Sequence, residues 1–317
     1  MPTGTVAVVY GPTASGKSGL ALELAERLNG AVINADAIQL YGELEILTAR
    51  PGPDAMARAP HLLYGVLSSA TASSAAWWRE AALREIARAQ SEGRLPILAG
   101  GTGLYIKALV EGLSPVPPSD IDARKAATAL YAEIGGEEFR KRLAAHDPPT
   151  AARLAPGDRQ RLIRAWEVLA ATGTPISVWQ AMPRERGHDL AFRFIGLNPP
   201  RDALYRRIDA RFLTMIERGA IAEAERFEML DLPFSLPAAK ALGLSELRRH
   251  IRGELTLSEA VAQAQQATRN YAKRQFTWFR HQIAPLVSAM PHSRHVLLEE
   301  LSERKLAEIM SFIVRSG

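Results

Sequence analysis

The 317-residue sequence contains no cysteine, which excludes disulfide bridges, thiolate nucleophiles and cysteine-ligated zinc sites. No apolar stretch approaches the ~18–20 residues that a membrane-spanning helix needs. The longest apolar stretches have the length of strands, as at Val6–Tyr10 and Ile97–Ala99. The N-terminus lacks a charged segment followed by a long apolar run, which argues against a secretory signal. We therefore expect a cytoplasmic protein that does not associate with a membrane.

Acidic residues are missing from one long part of the chain. The whole sequence has 39 Lys and Arg against 34 Asp and Glu, a net charge of +5, but no Asp or Glu lies between Glu259 and Glu299. The cations in this range are Arg269, Lys273, Arg274, Arg280 and Arg294. Uncompensated positive charge suits a polyanion such as a nucleic acid, although a solvated basic surface has the same pattern. Charge alone leaves both interpretations open.

Strand-like and helix-like segments alternate in the first hundred residues. The predicted strands are Thr5–Tyr10, Ala31–Ala35 and Leu95–Gly100, and the predicted helices run from about Lys17 to Asn29 and from about Ser74 to Glu92. Alternation at this spacing is typical of βαβ units and predicts an α/β fold with a parallel sheet. A composition of 47% hydrophobic and 23% charged residues is typical of a packed globular protein.

The pattern becomes wholly helical between residues 115 and 186. Ser119 or Asp120 can cap a first helix, Gly135-Gly136 can end it, and Asp158 can cap a later one. Phe192–Asn198 then has the composition of a returning strand. We therefore predict an α/β core formed by residues 1–114 and 187–317, with a helical insertion formed by residues 115–186.

The strongest motif is GPTASGKS, which fits G-x-x-x-x-G-K-[ST] and lies between a predicted strand and a predicted helix. Its glycines let the backbone approach closely, so that successive N–H groups and the helix N-terminus can bind one polyphosphate. Lys17 adds positive charge, and the Ser18 hydroxyl can coordinate Mg²⁺. A chance glycine turn is the alternative, but the flanking elements favour a diphosphate site. Its residues are Gly11, Pro12, Thr13, Ala14, Ser15, Gly16, Lys17 and Ser18.

The segments outside this motif narrow the class of ligand. A standard NTPase has an acidic residue at the end of a second strand to hold magnesium, but Leu95–Ala99 is followed by Gly100-Gly101-Thr102. No pair of adjacent aspartates occurs, so the aspartate-rich magnesium sites of chain-elongating prenyl synthases are missing. We therefore expect the loop to hold a diphosphate leaving group rather than a phosphate that is transferred.

Seven segments occur in a specific order along the chain. They are GPTASGKS (11–18), NADAIQLY (34–41), LTARP (47–51), GGTGLYIKALVEGL (100–113), DRQRLIRAWEV (158–168), RIDARF (207–212) and ATRNYAKRQFTWFR (267–280). Together they resemble the bacterial tRNA dimethylallyltransferase family, from the first strand to about Arg280. The resemblance implies a P-loop NTPase-like α/β core with a helical insertion that grips the anticodon stem-loop of tRNA. It also implies transfer of a dimethylallyl group from dimethylallyl diphosphate to N6 of adenine 37, which follows the anticodon.

Asp36 is the candidate general base. It follows a short predicted strand, which places it at the carboxyl edge of the sheet, where ligands of open α/β sheets bind. An adenine amine is a poor nucleophile because its lone pair is delocalised into the ring, so a carboxylate that accepts its proton would assist attack on carbon. The resemblance implies this role for Asp36, whereas the residues taken alone favour a helix N-cap.

The resemblance implies further contacts in the core. Those around the target base are Asp36, Ala37, Ile38, Gln39 and Thr102, with Thr102 and Lys17 also catalytic, and a glycine-centred loop contributes Lys240 and Gly243 to tRNA binding. Arg211 corresponds to an arginine that contacts the diphosphate, for which the bidentate geometry of a guanidinium is suited. A surface arginine on a helix is the alternative for this residue.

Two further segments are expected to bind tRNA. In the insertion, the resemblance implies contacts from Arg124, Gln160, Arg161, Leu162, Ile163 and Arg164. In the core, the basic and aromatic segment consists of Lys273, Arg274, Gln275, Phe276, Thr277, Trp278, Phe279 and Arg280. Helical spacing places Arg269, Lys273 and Arg280 on one face with Phe276, so that cations can pair with phosphates while a base stacks on an exposed ring. Packing of at least one of these aromatic rings in the core is the alternative.

Three departures from the family pattern and three alternative functions remain. Ala37, Arg50 and Leu244 stand where the family usually has serine, lysine and an aromatic residue. The alternative functions are a small-metabolite P-loop kinase, an AMP dimethylallyltransferase and a non-catalytic RNA-binding P-loop protein. The missing acidic residue at a strand end counts against the kinase. The helical insertion counts against the AMP dimethylallyltransferase, and Asp36 counts against the non-catalytic protein. We expect a monomer with Mg²⁺ as cofactor and with tRNA and dimethylallyl diphosphate as partners.

Overall fold

The computed structural model describes residues 4–184, 187–288, 294–300 and 302–314. The chain forms two compact units, of which the first is Met1–Val110 with His188–Gly317 and the second is Glu111–Gly187. The predicted boundaries after residues 114 and 186 compare with boundaries after residues 110 and 187 in the structure. Arg186, the predicted end of the insertion, lies outside the described residues.

A parallel six-stranded sheet forms the centre of the first unit, in the order β3-β2-β4-β1-β5-β6. The strands are β1 (Thr5–Tyr10), β2 (Gly30–Asn34), β3 (His61–Leu62), β4 (Leu95–Gly100), β5 (Ala191–Leu197) and β6 (Arg294–Leu298). Every residue of β1 and β4 is buried, as expected for parallel strands that are covered on both faces. The predicted α/β fold is therefore confirmed. Because Tyr10 of β1 pairs with Gly100 of β4, the loops that follow these two strands leave the sheet at the same edge.

Thirteen helices are present in the described residues. They are α1 (Lys17–Arg27), α2 (Pro53–Arg58), α3 (Ala75–Ser91), α4 (Gly103–Glu111), α5 (Ile121–Ala144), α6 (Pro148–Arg153), α7 (Arg159–Thr172), α8 (Ile176–Ala181), α9 (Arg201–Glu217), α10 (Ala220–Glu228), α11 (Leu244–Ile251), α12 (Leu257–Ser288) and α13 (Glu303–Val314), with a short 3-10 helix at Ala238–Lys240. None of them is long and apolar enough to cross a membrane.

Alternate residues of β1 pack into two different cores. Val6, Val8 and Tyr10 belong to one cluster, and Ala7 and Val9 belong to the other. This alternation follows from the two-residue period of a strand. The sheet is therefore covered on both faces, and ligands can reach it only at its edges.

The second unit is all-helical and has its own core, which includes Phe139, Leu143 and Leu162. The Asp120 side chain caps α5 by accepting the Ala123 N–H at 2.8 Å. Gly135 interrupts α5 with φ 73° and ψ 166°, at the position where the sequence predicts a helix end. Asp158 precedes α7 but makes no side-chain capping hydrogen bond.

Candidate active site

The loop between β1 and α1 forms a cradle suited to a phosphate. Gly16 has φ 93°, a left-handed conformation that other residues rarely adopt, and it is the N-cap of α1. The first N–H that bonds within this helix is that of Leu20, which donates to the Gly16 carbonyl at 3.1 Å. The preceding N–H groups of α1 therefore have no acceptor in the helix and can bind an anion. In the motif, Gly11, Pro12 and Ser15 are buried, Thr13, Ala14 and Lys17 are half-buried, and Gly16 and Ser18 are exposed.

Two cations belong to this cradle. The Lys17 Nζ donates to the Pro12 carbonyl at 3.2 Å, and Arg211 of α9 donates to the Thr13 Oγ1 at 2.6 Å. Burial lowers the pKa of Lys17 to about 8; the positive charge of Arg211 acts in the same direction, and the Asp36 carboxylate opposes it. Burial also lowers the pKa of Arg211, again against the effect of Asp36. A bound diphosphate would neutralise both cations and favour protonated Lys17.

Asp36 begins a turn after β2 and does not begin a helix. Its Oδ1 accepts the N–H of Ile38 at 3.0 Å, while Asn34 Oδ1 accepts the Asp36 N–H at 2.8 Å. The next helix along the chain is α2, which starts at Pro53, so the interpretation of Asp36 as a helix N-cap is wrong. In the described part of the chain no group donates a hydrogen bond to Asp36 Oδ2. This oxygen is therefore available to a ligand.

Thr102 connects the loop after β4 to this turn. Its Oγ1 accepts the Ala37 N–H at 2.9 Å, and its own N–H donates to the Ala35 carbonyl at 3.1 Å. Ala37 thus contributes its backbone here, in the position where the family usually has serine. The hydroxyl proton of Thr102 has no acceptor among the described residues, so it can be donated to a ligand.

A cavity of about 380 Å³ lies over these groups. Its polar side chains include Thr13, Asp36, Thr102, Arg211, Lys240 and Arg274. Its apolar side chains include Leu47, Ile208, Phe212, Met215 and Leu242. A pocket lined by both charged and apolar side chains suits a ligand that has an anionic end and an apolar end. The structure therefore brings together Asp36, Thr102, Arg211 and the cradle, which are far apart in sequence.

Four residues of the basic and aromatic segment are exposed on α12. They are Lys273, Arg274, Thr277 and Arg280, and within the described ranges no carboxylate pairs with any of these three cations. Arg269 differs, because its guanidinium forms an ion pair with Asp209 of α9. The predicted cationic face is thus partly neutralised at its N-terminal end.

The aromatic rings of this segment are less exposed than the stacking interpretation requires. Phe279 is 7% exposed and packs in the core with Tyr10. Phe276 is half-buried against Leu204 and Ile208, and Trp278 is also half-buried. Phe279 is therefore removed from the predicted tRNA surface, because a ring in the core cannot stack on a base. Gln275 is also removed from this surface, because its side chain is only 5% exposed and cannot contact RNA.

Two of the predicted tRNA residues of the insertion, Arg124 and Arg164, bind a buried carboxylate. Glu167 is 1% exposed, and it accepts hydrogen bonds from Arg164 at 2.6 Å and from Arg124 at 3.2 Å. It also accepts from the Ser119 hydroxyl at 2.6 Å. Glu167 was not among the predicted residues, although it lies four residues after the apolar Ile163 and hence on the inward face of α7. Gln160 and Arg161 are exposed, whereas Leu162 and Ile163 are buried and their side chains cannot contact RNA.

The loop that carries Leu47 and Thr48 was also missed as part of the site. Glu223 of α10 is 3% exposed and accepts the N–H groups of three successive residues, Glu45, Ile46 and Leu47, at 2.7–2.8 Å. Gln39, a predicted tRNA contact, donates instead to the Thr48 and Ala49 carbonyls at 2.9 and 3.0 Å. The spacing of Ile208, Arg211, Phe212 and Met215, which places them on one face of α9, could have predicted the opposite wall.

The glycine-centred loop and two of the departures from the family pattern can now be located in the structure. Lys240 is exposed and lines the cavity, and Gly243 directly precedes α11. Leu244 is fully buried, so the position at which the family usually has an aromatic residue is a core position in this chain. Arg50 donates to the carbonyls of Tyr41 and Gly42, both at 3.1 Å. It therefore stabilises the loop behind the cavity wall.

The chain is similar to known proteins of one family. The IPP transferase family matches residues 39–282. The tRNA dimethylallyltransferase of Rhodospirillum centenum is 54% identical over 283 residues, which is 89% of this chain and 90% of that protein. The tRNA dimethylallyltransferase of Paramagnetospirillum magneticum is 50% identical over 308 residues, which is 97% of this chain and 95% of that protein.

Solved structures show the same architecture. The tRNA isopentenylpyrophosphate transferase of Bacillus halodurans aligns with a TM-score of 0.66 at 31% identity, over 98% of this chain and 95% of that one. A eukaryotic dimethylallyltransferase acting on tRNA aligns with a TM-score of 0.81 at 23% identity, over 98% of this chain and 80% of that one. The second likeness shows a shared fold.

Proposed function

The chain belongs to the IPP transferase family, and from this membership we propose that it is a transferase that prenylates tRNA. The donor in this proposal is dimethylallyl diphosphate, and the acceptor is N6 of adenine 37, next to the anticodon. The observation that carries the proposal is one cavity that is lined by Thr13 of the phosphate cradle, by Arg211, by the Asp36 carboxylate and by apolar side chains. A P-loop kinase would usually also have an acidic residue at the end of a second strand to hold magnesium, whereas β4 is followed by Gly101 and Thr102 in this chain.

The cavity can accommodate both parts of the donor. In the proposed complex the diphosphate lies against the N–H groups of the cradle, Lys17 and Arg211, and the five-carbon group lies against Ile208, Phe212 and Met215. The carbon–oxygen bond of the donor breaks, and the electron pair leaves with the diphosphate, whose added negative charge the two cations stabilise. The adenine nitrogen forms the new bond to carbon.

Asp36 accepts the proton that the adenine amine loses. Oδ1 is held by the Ile38 N–H, so the carboxylate has a fixed orientation, and Oδ2 is available to the amine. Thr102 supports this turn through Ala37 and can donate its hydroxyl proton to the base. General acid–base groups of this kind typically contribute about 10²–10⁴-fold to the rate.

Magnesium fits the site as an ion that binds mainly through the substrate. The Ser18 hydroxyl is exposed in the first turn of α1. Across the described residues no group of three or more His, Asp and Glu side chains could hold a metal. Mg²⁺ commonly keeps several waters and binds through phosphate oxygens, so Ser18 and the diphosphate together would suffice. The bound ion would supply positive charge to the leaving group.

The tRNA-binding residues of this proposal are those that remain exposed or line the cavity. In the core they include Lys240, Lys273, Arg274, Thr277 and Arg280, whereas the half-buried ring of Phe276 packs against Leu204 and Ile208. In the insertion they are Gln160, Arg161, Arg124 and Arg164, of which the last two are held by Glu167. A tRNA substrate favours a cytoplasmic location, and we propose a monomer that binds one anticodon stem-loop.

Label transfer tests the proposed reaction. Labelled dimethylallyl diphosphate is incubated in parallel with unmodified tRNA, AMP and ATP, and label is expected in tRNA only. Asp36→Asn keeps an oxygen for the Ile38 N–H but cannot accept the amine proton, so it should lower the rate by about 10²–10⁴-fold with unchanged tRNA affinity. Asp54→Asn, at an exposed position of α2, is the matched control. Label in AMP, or wild-type turnover by Asp36→Asn, would contradict the proposal.

A further inference from the structure

The buried side chain of Gln275 forms hydrogen bonds with two loops of the active site. Its Oε1 accepts the N–H of Thr13 in the phosphate cradle at 2.8 Å. Its Nε2 donates to the carbonyl of Gly101, next to Thr102, at 3.0 Å. The residue is 5% exposed and lies 262 and 174 positions away from its two partners in sequence. One buried amide therefore joins the loop after β1 to the loop after β4.

Only a side chain with both a donor and an acceptor can form this bridge. A carboxylate could accept from Thr13 but could not donate to Gly101, and an apolar side chain could do neither. The approach is also close, since a Cβ at Gly101 would lie 2.3 Å from the Gln275 Nε2. A polar group that loses its partner in such a buried place destabilises the local arrangement. Beyond the pairing of Tyr10 with Gly100 at the ends of the two strands, this residue therefore links the two loops directly.

The two loops carry opposite halves of the proposed reaction. Thr13 belongs to the cradle and accepts a hydrogen bond from Arg211, the proposed diphosphate ligand. Thr102 holds the turn that presents Asp36, the proposed base, through its bond to Ala37. The separation between the donor carbon and the adenine nitrogen thus depends on the separation of these loops.

We propose that Gln275 is a positioning residue that fixes the diphosphate-binding loop relative to the loop that presents the general base. This inference rests on the proposed function, and it assigns Gln275 a role different from contact with tRNA. A displacement of reacting groups by about 1 Å can lower a rate by about 10²-fold. Loss of the bridge should therefore act on kcat and on pyrophosphate affinity, and it should leave tRNA affinity unchanged.

Gln275→Leu removes both hydrogen bonds at similar volume. We expect kcat to fall by roughly 10–100-fold, pyrophosphate to bind several-fold more weakly, and the Kd of an anticodon stem-loop to stay within twofold of the wild-type value. A stem-loop Kd that rises while kcat at saturating tRNA is unchanged would overturn the proposal and make Gln275 an RNA contact. A kcat within twofold of wild type would overturn it as well.

Gln275→Glu provides a pH signature that a purely structural defect would not have. The ionised carboxylate repels the Gly101 carbonyl, whereas the protonated carboxyl group can donate to Gly101 and accept from Thr13, as the glutamine does. Burial raises the pKa of such a group above its usual value of about 4.3. The ratio of variant kcat to wild-type kcat should therefore rise as the pH falls from 8 to 5.5, and a flat ratio would overturn the proposal.

Gln263→Glu is the matched control, because it makes the same change at an exposed position of the same helix. Its ratio to wild type should be independent of pH, and so should that of Gln275→Leu. Should Gln275→Leu fail to fold, the pH dependence of Gln275→Glu still decides the question. Absence of transfer by the wild type would contradict the proposed function instead, and pyrophosphate affinity would then still report whether Gln275 supports the cradle.

Discussion

Replacing Lys273 and Arg280 together with glutamine should weaken the salt dependence of tRNA binding. Both side chains are exposed on α12, and no carboxylate in the described ranges pairs with them. A cation that contacts RNA phosphate releases a counterion on binding, so its removal lowers the magnitude of the log Kd against log salt slope. The exposed cations of this segment are therefore the ones that the measurement should detect.

The magnitude follows from the number of cations removed. Each phosphate contact contributes roughly 0.7–0.9 to the slope, so the double variant should lower its magnitude by roughly 1.4–1.8. Over a fourfold change in salt, this difference corresponds to about a tenfold smaller loss of affinity than in the wild type. Arg269→Gln should change the slope less, because the ion pair with Asp209 already neutralises this guanidinium.

Fluorescence anisotropy with an unmodified anticodon stem-loop at four or more salt concentrations measures these slopes. Arg84→Gln, which removes an exposed cation from α3 outside the proposed surface, should leave the slope unchanged. A wild-type slope near zero would refute the reasoning. So would a double variant whose slope equals that of the wild type, since the exposed cations would then lie away from the RNA.

Three further predictions concern the cradle, the cavity wall and the stacking surface. Burial lowers the pKa of Lys17 to about 8, and protonated Lys17 binds pyrophosphate more tightly than the neutral amine, so wild-type affinity should fall as the pH rises above 8. Titration calorimetry should show weaker binding and a smaller fall for Lys17→Gln, and equal falls in the two proteins would contradict this. Glu223→Ala leaves three backbone N–H groups without their acceptor. Because solvent can reach part of that loop, we expect the substitution to lower the free energy of unfolding by about 3 kcal/mol. An unchanged midpoint of urea unfolding would refute this. Phe276→Ala removes a half-buried ring, so it should lower the free energy of unfolding by about 1–3 kcal/mol. The affinity of the folded fraction for the stem-loop should stay within twofold of the wild-type value. A loss of affinity without a loss of stability would instead indicate base stacking.

The sequence alone determined the elements whose chemistry is local. The cradle between β1 and α1 depends on the spacing of glycines, Lys17 and Ser18 in one continuous segment. The parallel sheet follows from strands and helices that alternate, and the helical insertion follows from caps and glycines such as Asp120 and Gly135. The cradle and the caps depend on neighbours within a few residues, and the parallel sheet is indicated by the order of strands and helices along the chain, so the sequence displays each of these features directly.

Only the tertiary structure decided which side chains face the cavity and which are buried. Arg211 meets Thr13, Gln275 meets Thr13 and Gly101, and Glu223 holds the loop of Leu47, across separations of 198, 262, 174 and 176 residues. The helical period places Phe276 on the same face of α12 as Arg269, Lys273 and Arg280, but the depth of its ring depends on the elements packed against it. A hydrogen bond or a buried face requires a partner at a particular place, and the packing of the whole unit supplies that partner.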